Sequence, residues 1–392
     1  MSSTPLRILT VANVPPNPNS GAAGTVFHTN AALRELGHDV DEIWDKDLGP
    51  RRIQHGNLHS LLEQPWRYRA AVAKATAAKK YDAVMLSQPQ AYKAIESLKS
   101  NRFPGVSINR SHGLELRCDE VVGAFHRQFG VPESRFPLLT KILKYPLGRQ
   151  WHRVAGAVDG IVVGSELDKQ YLIDRLAVDL EKIAVLPHGV GEDFLNGSIP
   201  TRHEHAWKKI LHVGQFAFVK GSTLIPEIMN RVLQEHRDAS FTWVCSQDHH
   251  RWIHDRIDPS IAPRVNLLDW MPAQELLGVI DSHGIFFFPS FFEGFGKAPF
   301  EAMARGCCVI SVDEGGMHDI ISHKKSGILF RAGDVAGAIS ELQFALGHPE
   351  LCQKIAIKGC ELARTLTWSR LANGLVEFIQ RLRKTKAAES GN

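Results

Sequence analysis

The feature that most limits the fold of this chain is a series of short, nearly continuous apolar runs that alternate with helical segments. The first run, residues 6–14 (LRILTVANV), ends in a loop rich in Pro, Asn and Gly. A helical pattern, TVFHTNAALRELG, then precedes the next run, HDVDEIW. Continuous apolar runs are typical of strands that are covered on both faces. The order strand, loop, helix, strand therefore predicts a βαβ unit within a parallel sheet.

This pattern occurs twice along the 392 residues, which exceed what one hydrophobic core usually serves. A polar stretch with Gly and Pro, NGSIPTRHEH, separates the two series of runs. We therefore predict an α/β protein with two Rossmann-like, doubly wound parallel-sheet domains facing each other across a cleft. The expected boundaries are a first domain at 1–195, a linker at 196–205, a second domain at 206–368, and a helix at 369–392 that packs back toward the first domain.

Composition excludes several classes of protein. The apolar content of 44% and charged content of 22% are ordinary for a globular protein, and a net charge of +4 is too weak to indicate a nucleic-acid partner. The six cysteines include no C-x-x-C pair, which favours a reduced cytoplasmic protein. LRILTVANV is too short for a signal peptide, and no apolar run reaches the length of a membrane span.

The stretch EGFGKAPFEAMARG, residues 293–306, carries the strongest chemical signal. Pro299 suits the first position of a helix, so the preceding backbone N–H groups would surround a helix N-terminus, which attracts phosphate. Glu301 in the first turn could accept hydrogen bonds from the cis-diol of a ribose, and Glu293 from a second sugar ring. The alternative is that both acids complement the helix dipole, with Ser290 and Glu293 forming a cap.

This stretch resembles the E-x7-E signature of retaining GT-B-fold glycosyltransferases, in particular glycosyltransferase family 4 (glycosyl transferases group 1). The flanking segments PSFFEGFG and CCVISVDEGG agree with it. The resemblance implies that Glu293 contacts the donor sugar and that Glu301 binds the ribose. The Gly294-Phe295-Gly296 backbone would meet the diphosphate.

Three further segments resemble motifs of the same family. PNPNSGAAGT is similar to its glycine loop, which makes Gly21 a phosphate-facing residue or a simple helix-entry turn. SHGLE (111–115) places His112 where a histidine faces the reacting sugar, although His112 alone would be read as a structural or surface residue. VLPHGV is similar to an interdomain segment, with His188 where asparagine is usual and Gly189 as a hinge or turn.

ILHVGQFAFVKG (210–221) resembles the family's diphosphate clamp, which usually has an arginine and a lysine. Lys220 is present, but Gln215 replaces the arginine, and an amide cannot neutralise charge. This departure puts donor affinity in doubt. Lys297 would compensate if it contacts the diphosphate; the alternative is a solvated lysine.

Two other segments have competing interpretations. The segment 126–153 mixes basic residues with Phe, Leu, Ile and Trp, which fits either an acceptor-binding or membrane-facing surface, or a core helix with a solvated face. The cluster of Asp248, His249, His250 and His254 fits a surface patch near the nucleotide base better than a zinc site.

Taken together, the resemblance implies a retaining, metal-independent glycosyltransferase without a cofactor. It would move a hexose-type sugar from a UDP-, GDP- or ADP-sugar to a glycan, lipid-linked or small-molecule acceptor. The first domain would hold the acceptor and the second the donor, with His112, Glu293 and Lys220 as catalytic residues. The protein would be cytoplasmic, with possible peripheral contact at the inner face of a membrane. The alternative is a nucleotide-sugar-binding protein, or an epimerase or hydrolase of the same fold.

Overall fold

The structure, a computed structural model, describes residues 4–134, 137–196 and 198–390, with the side chains of 137–139, 141 and 390 excepted. The chain divides into two compact units. Unit 1 comprises residues 1–189 together with 368–392, and unit 2 comprises residues 190–367. Each unit is described by itself below.

Six strands form one parallel sheet within the described part of unit 1. The strands are β1 (Arg7–Val11), β2 (Asp39–Ile43), β3 (Ala83–Ser87), β4 (Val106–Arg110), β5 (Gly160–Val163) and β6 (Ile183–Val185). Their spatial order is β2-β1-β3-β4-β5-β6, so the direction of winding reverses between β1 and β3. Strands β3, β4 and β5 are buried along their whole length, as the continuous apolar runs predict.

Helices cover both faces of this sheet. They are α1 (Ala22–Glu35), α2 (Gly56–Leu58), α3 (Gln64–Ala78), α4 (Tyr92–Ser100), α5 (Glu115–Gln128), α6 (Pro137–Ala157), α7 (Glu166–Leu176) and the C-terminal helix, which belongs to the same unit and spans Trp368–Ser390. One core contains Leu9, Val84, Trp151 and Ile161. The core on the other face contains Ile8, Ile108 and, from the C-terminal helix, Leu371 and Leu375.

Unit 2 contains a second six-stranded parallel sheet among its described residues. Its strands are β7 (Lys209–Val213), β8 (Ser240–Val244), β9 (Val265–Leu268), β10 (Ile285–Phe288), β11 (Cys308–Val312) and β12 (Ile328–Phe330). The order β9-β8-β7-β10-β11-β12 is the Rossmann order 3-2-1-4-5-6, with its switch point between β7 and β10. The predicted α/β class with two Rossmann-like parallel sheets is thus confirmed.

The helices of unit 2 follow its strands on both faces of the sheet. They are α8 (Glu192–Leu195), α9 (Ile225–Glu235), α10 (His250–His254), α11 (Ala273–Asp281), α12 (Lys297–Ala304), α13 (Gly316–Ile320), α14 (Val335–Gly347) and α15 (Pro349–Ala363), which makes the C-terminal helix of unit 1 α16. Asp334 caps α14, because its carboxylate accepts a hydrogen bond from the N–H of Gly337 at 2.8 Å. Asp334 is therefore a structural acid.

The two units meet in sequence at Gly189 and Val190, six residues before the boundary expected from composition. The stretch 198–205 packs on unit 2, because the Arg202 guanidinium donates to the Ile280 and His283 carbonyl oxygens. Arg305 in turn donates to the Asn196 and Ser198 carbonyl oxygens. A polar composition with Gly and Pro therefore does not mark a free linker here, since Arg202 of the stretch binds carbonyl oxygens of unit 2 and Arg305 binds carbonyl oxygens at Asn196 and Ser198.

Gly189 ends unit 1 beside the start of α16. A Cβ on Gly189 would lie 2.5–2.7 Å from atoms of Trp368, so only glycine fits against this ring. Among the described residues, no helix is long and apolar enough to cross a membrane.

Candidate active site

The predicted donor residues of unit 2 lie at its topological switch point. The loop after β7 carries Gln215 and Lys220, and the loop after β10 carries Glu293 to Gly296. β7 and β10 are hydrogen-bonded neighbours. The connection after β7 leads to β8 on one side of this pair, and the connection after β10 leads to β11 on the other side. Such a divergence opens a crevice at the carboxyl ends of the strands, where ligands of α/β proteins bind. The two loops also contact directly, because the Phe291 N–H donates to the Val219 carbonyl oxygen at 2.8 Å.

Lys220 and Glu293 form an ion pair in this crevice. Lys220 Nζ lies 2.6 Å from Glu293 Oε1, and Ser290 Oγ donates to the same oxygen at 2.7 Å. The Glu293 side chain is only 9% exposed, whereas that of Lys220 is 27% exposed. Ser290 therefore binds Glu293 directly, and neither residue caps a helix as the structural alternative required.

Helix α12 begins at the end of the same loop with Gly296 as its N-cap residue. Gly296 has φ +90° and ψ +72°, and a Cβ there would meet the thioether of Met317. Both the left-handed backbone and the close contact require glycine. No side chain caps this helix, and its first turn contains no acid. The N–H groups of the first turn and the positive end of the helix dipole are thus available to an anion.

The position of Glu301 differs from the sequence prediction. Helix α12 starts at Lys297, two residues before Pro299, so Glu301 is its fifth residue and lies beyond the first turn. Glu301 forms an ion pair with Lys297, whose Nζ lies 3.4 Å from Glu301 Oε1. The side chains are 13% and 19% exposed, respectively. Each glutamate of the E-x7-E stretch thus has its own lysine partner.

Gly315 and Gly316, which follow β11, hold this loop in place. The Gly316 N–H donates to the Phe295 carbonyl oxygen at 3.1 Å. Gly315 has φ +56°, and a Cβ there would meet the Glu293 backbone. The Phe295 ring is buried and stacks on Phe300 with 4.7 Å between ring centroids. The signal in the sequence was the Gly-Gly pair after β11.

Gln215, in place of an arginine, is exposed at the start of the loop after β7. The next residue, Phe216, stacks on His249 with centroids 4.5 Å apart and contacts Trp252 edge-on at 4.7 Å. His249 therefore lies beside this loop. Among the residues that the structure describes, no group of three or more His, Cys, Asp or Glu could hold a metal ion.

In unit 1, Gly21 is the N-cap residue of α1 and has an ordinary φ of −61°. No atom lies within 4 Å of where its Cβ would stand, so no steric contact requires glycine at this position. The sequence did not single out Gly24, where an added Cβ would meet the Pro18 carbonyl group. The steric requirement for glycine at this helix start therefore falls on Gly24, in the first turn of α1.

His112 directly follows Ser111 at the carboxyl end of β4, near His188, with ring centroids 6.1 Å apart. Its ring is half-buried, and Nδ1 is buried without a hydrogen-bond partner. Burial, together with the charge on Arg110, lowers the pKa of His112 to about 3. His112 is therefore neutral at physiological pH, which fits a residue that contacts a sugar rather than a cation that binds phosphate.

The basic-apolar segment 126–153 continues from α5 into α6. Lys144 pairs with Glu133 at 2.7 Å, and Arg153 binds both carboxylate oxygens of Glu96. Trp151 is buried, whereas Ile142 and Tyr145 are 60% and 70% exposed. Arg135 and the side chain of Lys141 lie outside the described residues. Part of the segment is thus a core helix with a paired, solvated face, and contact of its exposed apolar residues with a membrane stays a prediction.

Comparison with known proteins agrees with this geometry. Residues 207–347, which contain the whole switch-point crevice of unit 2, match the family model described as glycosyl transferases group 1. A D-inositol 3-phosphate glycosyltransferase of Jonesia denitrificans is 30% identical over 138 residues, which are 35% of this chain and 30% of the relative. The chain thus matches about a third of the length of this curated relative.

Solved structures resemble the chain over nearly its full length. Sucrose-phosphate synthase of Thermosynechococcus elongatus has a TM-score of 0.75 and 16% identity, covering 96% of this chain and 99% of that one. The catalytic domain of starch synthase IV of Arabidopsis thaliana, bound to ADP and acarbose, has a TM-score of 0.69 and 14% identity, covering 97% and 100%. At these identities the likeness shows the fold alone, which is that of the GT-B glycosyltransferases. The comparisons thus show the GT-B fold over nearly the full chain and, over residues 207–347, a match to the glycosyl transferases group 1 model.

Proposed function

We propose that the protein is a retaining glycosyltransferase that takes a hexose-type sugar from a nucleoside diphosphate sugar. The observation that carries this proposal is the ion pair of Lys220 and Glu293 beside the uncapped N-terminus of α12. A sugar diphosphate needs a cationic, N–H-rich site for the phosphates and an acceptor group for the sugar hydroxyls within a few ångströms of each other. The crevice between β7 and β10 supplies both.

The donor would lie along the crevice in one orientation. The diphosphate would contact Lys220 and the first turn of α12, with Glu293 on the side of the transferred sugar and Glu301 on the side of the ribose. Lys297 would add a second positive charge near the phosphates, offsetting the charge missing at Gln215. The starch synthase structure contains ADP, which supports a nucleoside diphosphate as the ligand of this fold.

The reaction would transfer the sugar with retention of its anomeric configuration. The bond between the anomeric carbon and the diphosphate oxygen breaks, and a bond from that carbon to the acceptor oxygen forms. The acceptor's proton passes to the departing diphosphate. Lys220 and the α12 N-terminus would stabilise the negative charge that develops on the diphosphate, which is the main electrostatic demand of this step. Glu293 and neutral His112 would orient the sugar, and we assign no metal or cofactor.

A nucleotide titration tests the proposal most directly. UDP, GDP and ADP are titrated into the purified protein by calorimetry, and the corresponding sugar nucleotides are then supplied with and without a panel of sugar acceptors. We expect one nucleoside diphosphate to bind well below millimolar concentration, and its sugar to be consumed only with an acceptor. Tight binding without transfer would favour a binding protein, consumption without acceptor a hydrolase, and an altered sugar an epimerase. Failure of all three nucleotides to bind would refute the proposal.

A further inference from the structure

A groove in unit 1 lies between helices α5 and α6. Its volume is about 350 Å³, which is near the lower end of the range for small-molecule sites. Leu116 of α5 and Gly148 of α6 lie where the two helices come closest, because a Cβ on Gly148 would be 3.0 Å from Leu116 Cδ2. At one end, Trp151 Nε1 donates to Glu115 Oε2 at 2.9 Å and joins the helices. Close approach of α5 and α6 thus shapes the groove.

The two walls of this groove carry charges of opposite sign. Asp119 and Glu120 line it from α5, whereas Lys144 and Arg149 line it from α6. Lys144 Nζ lies 3.3 Å from Asp119 Oδ1, and the Tyr171 hydroxyl donates to Glu120 Oε1 at 2.7 Å. Arg149 forms no ion pair with a described residue, although it lines the groove together with both acids. The groove therefore holds a cation and two carboxylates that are not joined to each other.

These groups are accessible to a ligand. Asp119, Glu120, Tyr145 and Arg149 are all exposed. Tyr145 and Arg149 are four positions apart and share one face of α6. The Arg149 guanidinium carbon lies 6.0 Å from the centroid of the Tyr145 ring, at the limit of a cation–π contact. An exposed aromatic ring beside a cation can pack against the apolar part of a ligand whose other end is charged.

The charge pattern of the walls selects the class of ligand. A simple anion is attracted by Arg149 but repelled by Asp119 and Glu120, and a simple cation meets the reverse. A neutral molecule leaves the opposite charges apart. A ligand that carries an ammonium group and a carboxylate a few ångströms apart complements both walls at once. A free α-amino acid has this arrangement of charges.

We propose that the groove between α5 and α6 binds a zwitterionic α-amino acid with an apolar side chain. Arg149 binds its carboxylate, Asp119 and Glu120 bind its ammonium group, and its side chain packs against Leu116 and Tyr145. The inference does not rest on the proposed function, because these residues belong to unit 1 and the donor crevice is formed by unit 2. It adds a small-molecule site to the chain besides that crevice.

The test measures binding, so it does not depend on turnover. L-phenylalanine is compared with 2-phenylethylamine, which lacks the carboxylate, and with 3-phenylpropanoate, which lacks the ammonium group. Each is titrated into the full chain by calorimetry at neutral pH and constant ionic strength. We expect L-phenylalanine to bind at least about fivefold more tightly than either analogue, because each analogue loses one charged contact in an exposed groove. No binding of L-phenylalanine, or equal affinity for either analogue, would overturn the proposal.

Substitutions place the ligand in the groove. Arg149→Gln should abolish the preference for L-phenylalanine over 2-phenylethylamine, because it removes the group that binds the carboxylate. Glu120→Gln combined with Asp119→Asn should abolish the preference over 3-phenylpropanoate, and Glu120→Gln alone should reduce it if the double variant does not fold. Arg127→Gln is the matched control, since Arg127 is exposed on α5 and does not line the groove. It should keep both preferences.

The remaining outcomes also decide the proposal. If Arg149→Gln keeps the preference of the wild type, or if Arg127→Gln loses it equally, the ligand does not bind in this groove and the assignment fails. Glycerophosphoethanolamine, a zwitterion that has no apolar side chain, should bind more weakly than L-phenylalanine. Equal or tighter binding would mean that a lipid headgroup fits the walls as well as an amino acid does, and would overturn the amino-acid assignment.

Discussion

Lys220 Nζ lies 2.6 Å from Glu293 Oε1, so the cation expected to hold the diphosphate pairs directly with the acid expected to hold the sugar. Ser290 donates to the same carboxylate oxygen at 2.7 Å and orients it. A diphosphate that enters the crevice would share Lys220 with Glu293, whose carboxylate is held by Lys220 and Ser290. On the proposed function, the pair would let an acid and two phosphates lie side by side at the start of α12.

The Lys220–Glu293 pair predicts opposite effects for its two members. Lys220→Ala should weaken binding of the nucleoside diphosphate by about 10- to 100-fold, because it removes a charge-assisted hydrogen bond worth about 1.5–3 kcal/mol. Glu293→Gln should leave this affinity equal or higher, since Lys220 is released from its partner. It should, however, abolish any preference for the sugar nucleotide over the free diphosphate. Calorimetric titration of both ligands measures this, and weaker diphosphate binding in Glu293→Gln would contradict the model.

Lys297 should compensate for the missing arginine at Gln215. Lys297→Ala should weaken diphosphate binding by about tenfold or more, the loss expected for a charged contact to phosphate, and adding Gln215→Arg should restore part of it. The matched control is Lys169→Ala in unit 1, where the lysine also forms a pair along a helix, with Glu166 at 2.9 Å. Equal affinity in Lys297→Ala and the wild type would identify Lys297 as a solvated lysine.

Gly296 should be intolerant of substitution. Gly296→Ala forces a Cβ onto a residue with φ +90° and to within 3.0 Å of Met317 Cε, which should lower the free energy of unfolding by about 1–3 kcal/mol. Gly278→Ala is the control, because Gly278 lies inside α11 with no atom within 4 Å of the added Cβ. That change should stabilise the protein by about 0.5–1 kcal/mol. Denaturant unfolding of both variants measures the contrast, and equal effects would refute it.

Acid should destabilise the protein partly through His112. Burial, together with Arg110, lowers the native pKa of His112 to about 3, whereas an unfolded histidine titrates near about 6.5. Between these values the unfolded chain binds a proton that the native state does not. The free energy of unfolding therefore falls as the pH is lowered through this window, by up to about 2 kcal/mol from this group near pH ~5.

His112→Gln should remove that part of the pH dependence, which urea unfolding at a series of pH values would detect. His212 is a useful internal comparison, because burial lowers its pKa to about 4 and it remains in the variant. The pH dependence should therefore become shallower without vanishing. An unchanged slope in His112→Gln would show that the native histidine is not held neutral.

The positions of the central strands follow from the sequence because these strands are covered on both faces, unlike the edge strand β2 (DVDEI), which is only partly buried. β10 shows this most clearly, since its four residues IFFF are all buried. The predicted start of α12 was wrong by two residues. Proline is allowed at the first position of a helix, but its presence does not fix that position at Pro299. Tertiary contacts decided the start: Gly296 lies against Met317, and Gly316 holds the Phe295 carbonyl oxygen.

The E-x7-E stretch, Lys220 and His112 could be named in advance because a motif is a local pattern of residue types. Their pairing could not, since Lys220 and Glu293 are 73 positions apart and meet only because β7 and β10 are neighbours in the sheet. Arg110 shows the limit most plainly. In the sequence it is an ordinary charged residue at a strand end; in the structure it is buried, binds Thr29 of α1, 81 positions away, and has no counter-ion among the described residues. Local residue patterns thus determined the central strands and the chemistry available, and long-range packing decided which charges are joined.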